Sequence, residues 1–173
     1  EIYTGEDTLS LHDALPIFYA SKIRNAIPTI TKVHVNDDNP YGPNTAQVVC
    51  ATGAGPASGT DLTLANSLLA TMRAVGRGRT DAVAATAITL PVQGTCYVKA
   101  ESLVAARSAI QSELAQLQAD TDIAGTVYAA EIVRIVKSQS GVRNFIPAGG
   151  LVDVTAGDTE VITIRHEITY VAE

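Results

Sequence analysis

The stretch Thr86–Ala100, TAITLPVQGTCYVKA, decides the fold. It predicts two β-strands, Ala82–Leu90 and Val92–Lys99, that are joined at Pro91. A hydrogen-bonded ladder must break there, because proline has no backbone N–H to donate. Two strands joined by so short a break indicate an antiparallel hairpin.

A second predicted hairpin lies upstream, formed by Ile30–Val35 and Thr45–Ala51. Its tip, Asn36–Asn44, is rich in turn-forming residues. Helices are expected over Phe18–Ala26, from Thr60 or Asp61 to Gly76, and from Ser102 onward. The predicted apolar sides are Leu64, Leu68, Leu69, Met72 and Val75 on the second helix, and Leu103, Ala106, Ile110, Leu114 and Leu117 on the third. This order predicts an α+β fold of mainly antiparallel strands in hairpins with packed helices, in one or two small subdomains.

A weak internal repeat links the two ends of the chain at a constant offset of 109 residues. Tyr19 aligns with Tyr128, Ile23 with Ile132, and Val33 with Val142. Each copy is expected to be a short helix, a strand and a return strand, the return strands being Thr45–Ala51 and Thr159–Arg165. The alternative is two unrelated helix–strand units of a common α+β type.

Composition excludes several classes of function. The 173 residues are 46% hydrophobic, with no Trp and 5% aromatic residues, so the core must be aliphatic and a base-stacking platform is not expected. A net charge of −6 offers no electrostatic footprint for nucleic acid. No run of about 18 uninterrupted apolar residues is present to cross a membrane.

Residues 1–17 resemble the conceptual translation of a sequencing adapter, because EIYT and TLSLHDALPI flank three variable residues. We expect this segment to be a non-native leader, the alternative being a short native helix. The segment carries four acidic residues and no Lys or Arg, so the rest of the chain has a net charge near −2. On this hypothesis Phe18 is the first native residue of this chain. The authentic protein would then have further native sequence before the residue that corresponds to Phe18.

The sharpest enzymatic candidate is the loop Gly53–Gly59, GAGPASG, between a predicted strand and a predicted helix. Such loops place backbone N–H groups against phosphates. A dinucleotide site also needs a parallel βαβ unit and an acidic residue at the end of the next strand, neither of which is predicted here. The loop therefore supports nucleotide binding only as an alternative to a flexible surface loop.

Other chemistry finds little support. Asp37, Asp38 and Asn39 lack the spacing of a calcium loop and fit a turn better. His34 and His166 lie in predicted strands without a neighbouring nucleophile motif. Cys50 and Cys96 are far apart among apolar neighbours, which favours buried reduced thiols over a disulfide, zinc site or redox pair. We expect no catalytic residues, no metal and no cofactor.

From Thr60 to Glu167 the chain resembles the C-terminal region of the baseplate J-like proteins of contractile-tailed phages and Mu-like prophages. The likeness rests on an Arg-rich helix end (MRAVGRGRTDA), the proline-centred stretch TAITLPVQGTCYVKA, a long Ala-rich helix, the helix VYAAEIVRIV and the strand SGVRNF. With the expected leader (1–17) set aside, it divides the chain into a helix-plus-hairpin unit ending a preceding domain (18–59) and the baseplate J-like region (60–173).

The resemblance implies a non-enzymatic structural subunit of a baseplate wedge, which functions in virion assembly and baseplate ring formation. Its partners would be other wedge subunits and copies of itself, with no nucleic acid, membrane or small-molecule substrate. It would reside in the virion tail baseplate and be assembled in the bacterial cytoplasm. A phage, a defective prophage and a contractile injection system remain equally open.

Two contact surfaces are expected on this view. On the helix Leu103–Gln118, Ala105, Ala109 and Gln116 leave the outer side only weakly polar. Arg73, Arg77 and Arg79 form the second, where a role at the helix dipole or in an interface is expected and a phosphate or nucleic-acid contact is the alternative. The alternative for the first surface is that the helix Tyr128–Val136 covers it within the chain.

Overall fold

A computed structural model describes residues 11–72 and 78–173, with side chains from Pro16 onward. The elements are α1 Leu11–Ala26, β1 Lys32–Asn36, β2 Ala46–Thr52, β3 Gly55–Pro56, α2 Gly59–Met72, β4 Thr80–Ala84, β5 Thr86–Val98, a 3₁₀ turn Ala100–Ser102, α3 Leu103–Asp120, β6 Thr126–Val127, α4 Ala129–Ser138, β7 Val142–Pro147, β8 Val154–Thr155 and β9 Glu160–Ala172. They form two compact units, which divide between Ala85 and Thr86 except that residues 53–56 belong to the second. None of the described helices combines the length and the apolar character needed to span a membrane.

The first unit contains α1, β1, β2, α2 and β4. β1 and β2 are antiparallel, which confirms the upstream hairpin, and Asn39 and Asn44 adopt positive φ in its long tip. β2 and β4 are parallel, with Val49 opposite Val83. The segment β2–α2–β4 is therefore a βαβ crossover, an arrangement that the sequence analysis did not predict.

Aliphatic side chains from both helices form the core of the first unit, together with Tyr19. On α2 the buried residues are Ala65 and Leu69, whereas Leu64 is 53% exposed. The predicted apolar side of this helix is thus wrong at Leu64. A five-residue separation places Leu64 and Leu69 on different sides of a helix of 3.6 residues per turn.

The second unit is built around β5, the central strand of a three-stranded sheet in the order β7–β5–β9. β5 pairs antiparallel with β7 through Gly94–Val98 and parallel with β9 along its entire length. Helices α3 and α4 lie within the crossover that separates β5 from β9. They pack on one face of the sheet, where Ile110, Ile132 and Phe145 join a core of aliphatic side chains.

The predicted hairpin at Pro91 is wrong, because β5 runs without interruption through the proline. Thr86 N donates to Thr159 O, whereas Gln93 O accepts from Ala148 N. The backbone N–H and C=O groups of odd-numbered β5 residues therefore face β7, and those of even-numbered residues face β9. The missing N–H of Pro91 therefore falls on the side facing β7, whose pairing reaches only to Gly94. A proline at an unpartnered ladder position costs no hydrogen bond. The real break between strands comes at Ala85.

The internal repeat holds in part. In both units a helix precedes an edge strand that pairs antiparallel with a central strand, as α1–β1 does in one and α4–β7 in the other. Ile23 and Ile132 are both fully buried, but Tyr19 is buried while Tyr128 is 55% exposed. The predicted second return strand is wrong, because β9 pairs with β5 and β5 separates it from β7.

The α+β class is confirmed, with antiparallel ladders joining β1 to β2, β5 to β7 and β6 to β8. The longest ladder, β5–β9, is parallel. The predicted division at residue 59 follows the family resemblance and stays a prediction. The compact units divide elsewhere, with α2 in the first of them.

We predict that Leu69→Ala lowers the free energy of unfolding by about 2–5 kcal/mol, because it leaves a cavity in a packed core. Leu64→Ala on the same helix should change it by no more than about 0.5 kcal/mol, because the side chain is largely in water. Urea unfolding monitored by circular dichroism measures both values. Equal losses for the two variants would contradict this assignment of the faces of α2.

Candidate interface surfaces

The inner side of α3 is covered within the chain, as its apolar stripe predicts. Ala106, Ile110 and Leu114 are buried, and α4 contributes Ile132, Ile135 and Val136 to the same core. The outer side is different: Ala105 and Gln116 are exposed and Ala109 is half-buried. Gln116 is occupied locally, since its Nε2 donates to Asp120 Oδ1 at 2.8 Å. The described residues leave Ala105 and Gln116 open to a partner.

The predicted arginine surface is only partly visible. Arg73 and Arg77 lie outside the described residues. Arg79 lies well beyond the last described residue of α2, Met72, where it pairs with Asp81 and stacks 4.6 Å from the centre of the Tyr41 ring. Tyr41 also accepts from Gln47 Nε2 at 2.8 Å. Arg79 thus belongs to a cluster around the start of β4.

The Gly53–Gly59 loop joins β2 to α2 inside the parallel βαβ crossover, which is the setting that a phosphate loop requires. Its backbone is nevertheless engaged by the protein. Gly53 O accepts from Gln118 Nε2 at 3.2 Å, and a Cβ at Gly55 would lie 3.3 Å from Thr163 Cγ2. The parallel strand β4 ends in Ala84, so the acidic residue expected for a ribose is absent from its end.

The N-terminus of α2 already holds an anion of the protein itself. Asp61 Oδ2 accepts from Ser58 Oγ at 2.7 Å and from Ser58 N, and Asp61 Oδ1 accepts from Thr29 Oγ1 at 2.7 Å. Asp61 N donates to Ser58 Oγ in return, which completes a reciprocal cap. A carboxylate in this position satisfies the helix dipole that a phosphate would otherwise use.

These hydrogen bonds from Thr29 and Ser58 lower the pKa of Asp61 below 3.8. In the unfolded chain the carboxyl titrates at its ordinary value, so ionisation favours the folded state. We predict that Asp61→Asn lowers the melting temperature at neutral pH. The difference from wild type should shrink as pH falls below about 3.8 and vanish below the folded pKa of Asp61. Calorimetry across this range measures it, and a difference that persists in strong acid would contradict the cap.

A surface that sequence reasoning missed is the outer face of the second unit's sheet. Odd-numbered side chains of β5 and β9 point to this face, opposite to α3 and α4. Thr89, Gln93, Thr169 and Val171 are exposed on it, as is Ile146 of β7. The predicted hairpin at Pro91 concealed this face. Reading Thr86–Val98 as one alternating strand would have revealed it.

His166 contacts a tyrosine of the same strand, and both cysteines are buried. His166 Nε2 lies 2.9 Å from Tyr170 Oη, and Arg107 lies over the Tyr170 ring. Burial and the Arg107 charge lower the pKa of His166, while burial and Cys96 raise the pKa of Tyr170 to about 12. Cys50 and Cys96 are free and buried, as predicted. Burial, with a smaller contribution from Asp61, raises the pKa of Cys50 to about 12.

One cavity of the second unit offers no titratable group to a small molecule. A cavity of about 240 Å³ lies beside the unpaired end of β5, and no titratable side chain lines it. Its lining residues are Ile88, Thr89, Leu90, Pro91, Gln93, Ala148, Gly149, Gly150, Leu151, Val152 and Val154. No group of three His, Cys, Asp or Glu side chains among the described residues is placed to hold a metal ion.

Comparison with solved structures finds chains of similar fold. No protein-family model matches the chain, and no curated protein matches it. Among solved structures, it is similar to a chain of the anti-feeding prophage baseplate, determined by cryo-electron microscopy with six-fold symmetry imposed. The TM-score is 0.50 at 14% sequence identity. The match covers 85% of this chain and 36% of the baseplate chain, so this chain spans about a third of that protein.

A likeness at this level of identity establishes the fold that the two chains share. It extends over most of the described residues of both units. Site residues cannot be transferred from it, because most aligned positions carry different side chains. The candidate surfaces therefore stand on their own geometry: the outer side of α3, the cluster around Arg79, and the outer sheet face of the second unit.

Proposed function

We propose that this chain is a structural subunit of a contractile-tail baseplate and works by binding neighbouring subunits. The observation that carries the proposal is the shared fold with a chain of the anti-feeding prophage baseplate over 85% of this sequence. Fold alone does not determine function, so the proposal also needs support from the surfaces of this chain.

That support comes from what the described surfaces offer. A subunit of an assembly needs exposed areas that combine modest polarity with low charge. The outer side of α3 provides Ala105 and Gln116, and the outer sheet face of the second unit provides Thr169, Val171 and Ile146. The helix terminus that would bind a phosphate is capped by Asp61.

The finer parts of the proposal follow the family resemblance. The chain would belong to the baseplate J-like proteins, function in a baseplate wedge, contact other wedge subunits and copies of itself, and lack catalytic activity. It would be assembled in the bacterial cytoplasm and reside in the tail baseplate of a phage, a prophage or an injection system. Arg73 and Arg77 remain candidates for these contacts together with Arg79.

We predict that the chain co-purifies with wedge proteins of a contractile tail when they are expressed together. Ala105→Glu should reduce the recovered complex by about tenfold, because it buries an unpaired charge in the contact. Ala70→Glu is the matched control, since Ala70 is exposed on α2 in the other unit. Equal recovery of wild type and Ala105→Glu would remove α3 from the interface, and no co-purification at all would overturn the baseplate role.

The parallel βαβ crossover keeps nucleotide binding by the Gly53–Gly59 loop as a second candidate. Under our proposal NAD and ATP should leave the melting temperature unchanged, because Asp61 occupies the helix terminus. A ligand that binds the folded state alone would add about 2.7 kcal/mol of stability at a hundredfold excess over Kd. A thermal-shift titration distinguishes the two, and a clear upward shift would favour the second candidate.

A further inference from the structure

Between α3 and β9 lies a cluster of polar side chains that the proposed function does not use. It consists of His166 and Tyr170 of β9 and Arg107 of α3. His166 Nε2 lies 2.9 Å from Tyr170 Oη, and the two rings stack with their centres 5.9 Å apart. The Arg107 guanidinium lies over the Tyr170 ring, 5.9 Å from its centre. A titratable base and a fixed cation thus contact the same tyrosine.

Strand alternation places both β9 residues on the face that α3 covers. The even-numbered residues Ile162 and Ile168 belong to the core of the second unit, and Tyr170 packs against that core. His166 and Tyr170 are both half-buried. A positive charge on the His166 ring is therefore less well hydrated than the same charge in water.

Helix α3 brings no acidic side chain to this cluster. Arg107 forms no ion pair with any described residue. The residues three and four positions away from it along the helix are uncharged: Leu103, Val104, Ile110 and Gln111. The acidic residues of α3, Glu113 and Asp120, line a cleft on the side of α4 instead. The cation of the cluster is therefore without a counter-ion in the described part of the chain.

The two strands add no anion to the cluster either. β5 places the apolar Val92 beside His166, and Cys96, whose pKa is raised by burial, lies further along the same face. The neighbours of His166 on β9, Arg165 and Glu167, point to the opposite face and pair with each other at 2.6 Å. Protonation of His166 thus adds a second positive charge to the cluster.

We propose that the cluster is a pH-sensitive contact, in which protonation of His166 drives the Arg107 guanidinium off the Tyr170 ring and loosens α3 from that end of β9. The inference is independent of the proposed baseplate role. Arg107 is exposed and has a flexible stem, so its guanidinium can move into water. A second attachment of α3 to β9, between Gln118 Oε1 and Ile164 N, contains no titratable group and stays in place.

The electrostatics of the folded chain agree with this direction. Burial and the Arg107 charge lower the pKa of His166 below its ordinary value of 6.5, against an opposing effect of a hydrogen bond to its own backbone. The unfolded chain therefore binds this proton more readily than the folded chain does. As far as His166 is concerned, stability is highest above pH 6.5 and falls as pH decreases toward the folded pKa.

Nuclear magnetic resonance tests the contact directly. The Tyr170 ring should shift the side-chain protons of Arg107 upfield at about pH 7.5, and this shift should be lost as His166 is protonated toward about pH 4.5. His166→Gln keeps a polar group beside Tyr170 but does not titrate, so the upfield shift should persist in acid. His34→Gln removes a histidine of the first unit and should behave as wild type. An upfield shift that survives protonation of His166 would overturn the proposal.

The same coupling should be visible from the side of Arg107, because linkage between two sites is reciprocal. Arg107→Met removes the charge and keeps an apolar stem, so the His166 ring should titrate at a higher pH than in wild type. Lys137→Met removes one positive charge from the exposed end of α4 and is the matched control, with no change expected. The ring-proton signals of His166 measure all three midpoints. A wild-type midpoint at or above 6.5, or equal midpoints in wild type and Arg107→Met, would contradict the role of Arg107.

Discussion

The parallel ladder between β5 and β9 is the constraint on which the second unit depends. It joins residues 86–98 to residues 160–172, and every element between them must fit within one crossover. A parallel connection has to travel back along the sheet, which is why α3 and α4 both cover the same face. β7 then takes the remaining side of β5, but only from Gly94 onward. The close approach there requires a glycine, because a Cβ would lie 2.6 Å from Ile146 O.

A single amide side chain links this ladder to the loop that begins at Gly53. Gln118 donates to Gly53 O through Nε2 and accepts from Ile164 N through Oε1. Both of its hydrogen-bonding groups are thus used, one on the glycine loop and one on the outward side of β9. Residues 53–56 of the glycine loop belong to the second unit, and the Gln118 contact with Gly53 lies within that unit.

The sequence predicted features that depend on local chemistry and missed those set by long-range pairing. Turn residues located the tip of the first hairpin, and aliphatic periodicity identified the buried side of α3 through Ala106, Ile110 and Leu114. Pro91 led to the wrong prediction of a hairpin. A proline breaks a ladder only where its missing N–H would face a paired strand, and at Pro91 that side of β5 has no partner. The face of α2 was assigned from apolar character alone, whereas burial follows helix angle and places Ala65 inside and Leu64 outside. Of the predicted contact residues, Ala105 and Gln116 are exposed, while Arg79 is engaged by Tyr41 and Asp81.

The difficulty of reading function from this sequence has the same physical origin. Catalytic and metal sites depend on particular side chains, so they leave motifs that can be found without a structure. A strand edge is recognised through backbone groups, which every residue except proline carries in the same form. Whether an edge N–H is free depends on residues distant in sequence, as where Gln118 accepts from Ile164 N of β9. On the β7 edge, Pro147 has no N–H to offer. Whether a strand edge can pair is therefore defined by the folded sheet and not by a local sequence motif.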